Sequence, residues 1–276
     1  MDVRYPPDPK SFERMNTTEI RHIFLIDYLF VPGELKLVYS HVDRMVIGSA
    51  VPSSVSLQLE AGPELAADYF TQRREIGAIN IGAQGSIKVD GQEFTMANRD
   101  VLYIGQGSRE IEFSTADANH PARFYLISLP AHTSYPTRLA KQEAAEPVRL
   151  GSQAESNQRV IYKCIHPQGI RSCQLVMGFT DLAEGSVWNT MAAHTHERRS
   201  EVYMYFDLPK DAVVFHLLGQ RHETRHIVVR DGQAVISPSW SLHAGAGTRN
   251  YGFVWAMGGE NQEFGDMDAV GMDQLA

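Results

Sequence analysis

The chain has 276 residues and a net charge of −8, with 43% hydrophobic and 21% charged side chains, a globular composition with room for one large domain or two modest ones. Lys and Arg form no run that would neutralise a phosphate backbone, so nucleic-acid binding is not expected, and no apolar run approaches a membrane span. The two cysteines, Cys164 and Cys173, fit neither zinc-ribbon nor C-x-x-C spacing and read as reduced thiols of a cytoplasmic protein.

Residues 1–20 carry Asp2, Arg4, Asp8, Lys10, Glu13, Arg14 and Glu19, which leave no apolar core for a signal peptide. They read as an N-terminal arm with a short helix. Residues 21–135 hold short apolar runs punctuated by Gly, Pro and Asp. These predict strands over 75–81, 85–90, 92–96, 100–104, 109–114 and 123–129, with Asp90-Gly91 as a hairpin turn. One helix is expected over 64–70, after Pro63 at a favoured helix start. Residues 136–157, with Pro136, Pro147, Gly151 and a polar stretch at 141–146, read as a linker. Residues 158–276 repeat the strand pattern at 173–180, 201–207, 212–218, 225–230, 233–236 and 252–257. A strand roughly every ten residues predicts a sandwich or jelly-roll barrel, so the fold class expected is all-β, with two barrels and few short helices.

The second half carries the chemistry. His194 and His196 lie two apart on a predicted strand and share a face, so their imidazoles can aim at one point. Glu201 has the opposite parity, so Glu197–Ser200 must hold a bulge or turn that restores its direction. His243 follows downstream, and six of the 11 histidines fall between His194 and His243. Three imidazoles and one carboxylate point to a bound divalent cation, and suit zinc, manganese, iron, nickel or cobalt alike. A faint internal repeat sets residues 100–105 against 233–238, which puts Glu110 opposite His243. Setting Arg74-Glu75-Ile76 against Ser200-Glu201-Val202 puts Glu75 opposite Glu201, with Asp68 and Phe70 opposite the paired histidines. The first barrel then reads as a degenerate copy without metal, serving packing, oligomerisation or one wall of the site.

The spacing H-x-H-x4-E, followed by Gly232, Pro238 and His243, resembles the two motifs of the cupin superfamily, with Trp240 where the second motif usually has glycine. A more specific resemblance covers nearly the whole chain. It rests on 188–191, 194–203, 223–228, 233–241 and 259–262, and in the first half on 1–4, 38–44, 73–75, 80–82 and 131–137. These segments resemble the 4-deoxy-L-threo-5-hexosulose-uronate ketol-isomerases. The resemblance implies a bacterial enzyme of pectin and uronate breakdown, built as a bicupin and assembled as a homohexamer. It implies one zinc per chain, on His194, His196, Glu201 and His243. The implied substrate is an open-chain sugar acid with an aldehyde at C1, a hydroxyl at C2, a ketone at C5 and a carboxylate at C6. Its C1 carbonyl moves to C2, giving 3-deoxy-D-glycero-2,5-hexodiulosonate.

That isomerisation needs a group to carry a proton between C2 and C1. The candidates are Glu260, a carboxylate not spent on metal, His226, and Tyr203, which shares a strand face with Tyr205. Their plain alternatives are a surface acid, a core or surface histidine, and simple packing. Arg199 and Arg225 are the candidates for the substrate carboxylate, because guanidinium pairs bidentately with it and a chain of net charge −8 needs local positive charge to bind an anion. Surface ion pairs are the alternative. Rival activities are a 5-deoxyglucuronate isomerase of inositol catabolism and an iron-dependent cupin dioxygenase.

Overall fold

The computed structural model describes residues 1–145 and 147–276. Glu146, inside the expected linker, lies outside the described residues. The chain divides into two compact units, and the division interleaves the sequence. Unit 1 comprises Met1–Arg4, Tyr28–Ala145 and Cys164–Met177; unit 2 comprises Tyr5–Asp27, Glu146–Lys163 and Gly178–Ala276.

Unit 1 contains a seven-stranded sheet in the order β1 (Asp2–Arg4), β3 (Leu35–Ser40), β4 (Val46–Ala50), β11 (Phe124–Pro130), β6 (Arg74–Asn80), β9 (Val101–Ile104) and β12 (Arg138–Ala140). A four-stranded sheet runs β5 (Leu57–Gln58), β10 (Ile111–Thr115), β7 (Gly85–Val89) and β8 (Gln92–Met96). Inward side chains of both sheets, among them Ile76, Ala78, Ile87, Ile104, Phe113 and Phe124, form one apolar core. The helix expected over 64–70 is instead two 3-10 turns, Pro63–Leu65 and Phe70–Arg73. Ala66 takes a left-handed conformation (φ 45°) that ends the first turn, and Tyr69 is extended, so Pro63 starts a turn that cannot propagate.

Unit 2 builds a seven-stranded sheet in the order β13 (Pro147–Leu150), β14 (Arg159–Ile165), β15 (Val176–Leu182), β22 (Gly252–Gly259), β17 (Arg199–Phe206), β20 (Ala234–Ser237) and β2 (Leu25–Ile26). Its second sheet runs β19 (Glu223–Val229), β18 (Val214–Gln220), β21 (Leu242–Gly247), β16 (Trp188–Thr195) and β23 (Asp268–Ala269). The division between units passes through the ends of β14 and β15. Two helices, α1 (Pro9–Phe12) and α2 (Thr17–Phe24), belong to unit 2, capped by Asp8 and by an Asn16–Glu19 capping box. Phe12 and Phe24 meet Trp240 edge-on, with ring centroids 5.3 and 6.5 Å away. Contact with these two rings is what Trp240 gains at the motif position usually held by glycine.

The two units share one strand order, and the ladders fix which residues correspond. In unit 1, Arg74 pairs with Pro130 and Ile76 with Ile104; in unit 2, Arg199 pairs with Gly259 and Glu201 with Ser237. Ile76 therefore corresponds to Glu201, and Glu75 to Ser200. The inward residue of β10 is likewise Ile111, while Glu110 is exposed. The repeat is real in topology: setting 100–105 against 233–238 agrees with the ladders, whereas setting 74–76 against 200–202 is one residue out of register, which puts Glu75 on the other face from Glu201.

Candidate metal centre

β16 and β17 lie in different sheets of unit 2 and are joined by a tight turn in which Arg199 N donates to His196 O at 2.9 Å. Crossing between sheets, rather than a bulge within one strand, turns Glu201 toward the histidines. His194 pairs with His243 across the β16–β21 ladder, after a register shift between Asn189 and His194. The four side chains meet at one point, and His194, His196 and Glu201 line a cavity of about 290 Å³. His194 Nε2 lies 3.1 Å from His196 Nε2 and 3.2 Å from His243 Nε2. Glu201 Oε2 lies 3.3 Å from His196 Nε2 and 2.9 Å from His243 Nε2. Among the described residues this is the one group of His, Cys, Asp and Glu donors that converges in this way.

The opposite edges of two of the rings explain the convergence. His196 Nδ1 donates to the Asp266 carbonyl at 2.8 Å. His243 Nδ1 donates to Ser237 Oγ at 3.2 Å, whose own hydroxyl donates to Ser241 O. With the outer nitrogens of His196 and His243 protonated, their Nε2 lone pairs face the point at which His194 Nε2 also converges. Burial, followed by the charge of His243, brings His194 down to about 3, so it stays neutral. Burial pushes the Glu201 carboxyl up, but His243 and His196 pull it further down, below the ordinary carboxylate range. Three imidazole nitrogens beside a carboxylate, with donors about 3 Å apart, match a cation bonded at about 2.0–2.1 Å. The residues therefore fit a divalent metal.

The cavity walls are mainly apolar, with Met191, Phe253, Trp255 and Phe264 among them. Two polar groups there were not singled out from sequence. Arg159, first residue of β14, lines the cavity; its Nη1 donates to Asn157 O at 2.9 Å, and no carboxylate pairs with it among the described residues. Thr190 Oγ1 lies 3.1 Å from Tyr203 Oη, and both residues line the cavity. Burial holds the Tyr203 phenol well above its ordinary range, so it remains a neutral donor. The strand that carries Arg159 was missed because it adjoins the polar linker, although Val160-Ile161-Tyr162 has β character.

The other sequence candidates lie elsewhere. Arg199 is only 1% exposed and does not line the cavity; its Nη2 donates to Asp266 O at 2.8 Å and lies 3.2 Å from His196 Nδ1. Its position behind His196 follows from its place at the head of β17, next to the turn. Arg225 does not line the cavity: it pairs with Glu223 and donates to Glu13 O at 3.1 Å. On the same face Ile227 and Val229 are buried opposite His216 and Val214, so it is the Arg225 end of β19 that reaches the N-terminal segment. His226 and Glu260 are exposed, and neither lines the cavity. Arg198 forms ion pairs with Asp266 and Asp268, and Asn261 Nδ2 donates to Asp266 Oδ2 at 2.6 Å. These contacts hold the Asp266 carbonyl against His196; no sequence pattern marked that aspartate.

The model of the KduI/IolB family matches residues 27–270. The chain belongs to the KduI/IolB family. It is 54% identical over 275 residues, covering all of both chains, to 4-deoxy-L-threo-5-hexosulose-uronate ketol-isomerase of Halalkalibacterium halodurans, and 50% identical over the same span to that of Bacillus subtilis. Among solved structures, an IolB-like protein from Salmonella typhimurium LT2 superposes with a TM-score of 0.66 at 13% identity, over 82% of this chain and 87% of that one. Oxalate decarboxylase of Bacillus subtilis, described with Mn(II) centres, superposes with a TM-score of 0.56 at 9% identity, over 81% of this chain and 71% of that one. The fold is thus the cupin-like jelly roll in two copies, as members of the KduI/IolB family and more distant cupins share it.

Proposed function

We propose that this chain is a metal-dependent ketol-isomerase that converts 4-deoxy-L-threo-5-hexosulose uronate to 3-deoxy-D-glycero-2,5-hexodiulosonate in pectin and uronate breakdown. The observation that carries the proposal is the convergence of His194, His196, Glu201 and His243 beside a cavity that Arg159 also lines. Full-length relatives at about half identity bear the ketol-isomerase name, and this favours it over the inositol-pathway isomerase and the dioxygenase.

In this scheme His194, His196, Glu201 and His243 hold one divalent cation, and zinc suits a reaction without redox change. Bound there, the cation supplies Lewis acidity to the C1 carbonyl and the C2 hydroxyl. Arg159 takes the C6 carboxylate, its free guanidinium donors giving the pocket the local positive charge that the net charge of −8 denies it at long range. Tyr203 Oη, kept protonated by burial and steadied by Thr190, hydrogen-bonds a substrate oxygen and can hold a proton there. Met191, Phe253 and Trp255 exclude water from the carbon that loses its proton. Arg199 positions His196 through Asp266 rather than touching substrate. Cytoplasmic residence and assembly as a homohexamer complete the proposal; the cysteines are free thiols, as a reducing compartment requires.

The test is incubation of the metal-loaded protein with 4-deoxy-L-threo-5-hexosulose uronate, with product identity read by NMR and oxygen uptake followed in parallel. Conversion to the 2,5-diulosonate without oxygen uptake is expected. Full metal loading without conversion would overturn the assignment, and oxygen uptake by the iron-loaded protein would favour the dioxygenase.

A further inference from the structure

Unit 1 has a cavity of its own, of about 250 Å³, lined by Tyr39, Arg44, Arg73, Arg74 and an apolar portion that includes Leu65 and Phe70. Tyr39 and the three arginines come from 38–44 and 73–75, two first-half segments that carry the family resemblance and that the isomerase chemistry leaves unused. Arg74 is only 6% exposed. Its Nε donates to Ser128 Oγ at 3.0 Å, and its Nη2 to Ser128 O at 2.9 Å and to the Arg44 carbonyl. Arg73 Nη2 donates to the carbonyls of Leu65 and Ala66 at 3.0 and 2.7 Å. These partners are neutral. Among the described residues no carboxylate forms an ion pair with Arg44, Arg73 or Arg74, and Glu64, which also lines the cavity, is answered by the Met1 ammonium at 2.7 Å. Burial draws Arg74 down to about 10, with only the Tyr39 phenol opposing it.

A buried guanidinium without a counter-ion is unfavourable unless charge of the opposite sign is brought to it. Here three guanidinium groups line one cavity in a chain that is acidic overall. We propose that this cavity is a binding site for a small organic carboxylate, separate from the metal centre. The planar guanidinium groups suit a carboxylate head, and Leu65 and Phe70 suit a short carbon body.

The experiment is calorimetric titration of the full chain at low salt with butyrate, neutral butyramide and inorganic phosphate. It is repeated on Arg44→Gln and Arg73→Gln, whose exposed side chains can be changed without emptying the core. Butyrate is expected to bind the native protein and to bind each variant about tenfold more weakly or less, with butyramide giving no signal and phosphate weaker than butyrate. Isomerase turnover should be unchanged in both variants. Equal butyrate binding by native protein and both variants would overturn the site, as would butyramide binding as well as butyrate. Phosphate binding at least as tight as butyrate would overturn the organic-acid assignment. Loss of binding accompanied by a changed mass in light scattering would assign the guanidinium groups to an acidic group of another copy, and the proposal would fall.

Discussion

The two barrels follow one strand order and differ in what faces inward. On β6, Ile76 and Ala78 point into an apolar core with Ile104, Ile111 and Phe113; on β17, Glu201 and Tyr203 point into the cavity with His194 and His196. Behind that cavity lies a second polar layer, where Tyr205 Oη meets His216 Nδ1 at 2.7 Å and Asn189 donates to Tyr251 Oη at 2.7 Å. Backbone ladders and turns therefore suffice to specify the barrel, and a handful of inward positions decides whether it packs or binds. Each barrel also keeps a buried glutamate near the head of the matching strand, one residue apart in register. Glu201 sits inside; Glu75 sits on the other face, where its carboxylate accepts from the backbone of Cys173, Gln174 and Leu175 at 2.6–2.9 Å and from Tyr103 Oη at 2.8 Å. The same side chain joins the histidine cluster in one place and clasps a backbone segment in the other.

The comparison breaks most sharply at the metal donors. His243→Ala is expected to lose bound metal and to cut turnover on the order of 10³-fold or more, while circular dichroism shows the β-structure intact. Retained stoichiometric metal would mean the donor set is misassigned, and a native metal content near two per chain would contradict the contrast between the barrels. Next comes the reverse substitution in unit 1. Ile76→Glu buries a carboxylate without imidazole partners and should destabilise the protein by about 3–5 kcal/mol in denaturant unfolding; a neutral effect would mean that the unit 1 core tolerates charge.

Smaller effects separate the arginines and the two glutamates. Arg159→Ala should lower kcat/KM by about 2–3 kcal/mol of transition-state binding, mainly through KM, with metal content unchanged. Native kinetics in that variant would remove it from carboxylate recognition. Glu75→Gln leaves backbone donors facing an amide and should cost about 1–3 kcal/mol of stability, with turnover per folded molecule preserved. Arg225→Ala, which breaks only a part-exposed pair with Glu223, should shift stability by no more than about 0.5 kcal/mol and leave kinetics unchanged. A large rise in KM there would return Arg225 to the substrate site.

Strand periodicity carried most of the fold. Predicted strands such as 85–90, 92–96 and 252–257 coincide with β7, β8 and β22 to within two residues at each end, because alternation and turn residues act locally. The donor set was legible for a related reason. Spacing two apart on one strand brings His194 and His196 to one face, and the need to redirect Glu201 was evident from parity alone. The turn at His196–Arg199 met that need by moving the chain into the other sheet.

What the sequence by itself determined was the all-β class, the family and the residues of the cluster of three histidines and one glutamate. Tertiary structure alone decided which arginine reaches the cavity. Arg159 and Arg225 are both strand residues beside polar segments, and only the position of β14 beside β15 and of β19 at the end of its sheet separates them. It also decided that Glu75 does not stand where Glu201 does, since a one-residue difference in register reverses the face and no local pattern fixes register between distant copies, and that Glu110 is exposed just ahead of β10. Asp266 shows the same dependence: its carbonyl supports His196 from 70 residues away in the chain, a contact that exists only once the barrel has closed.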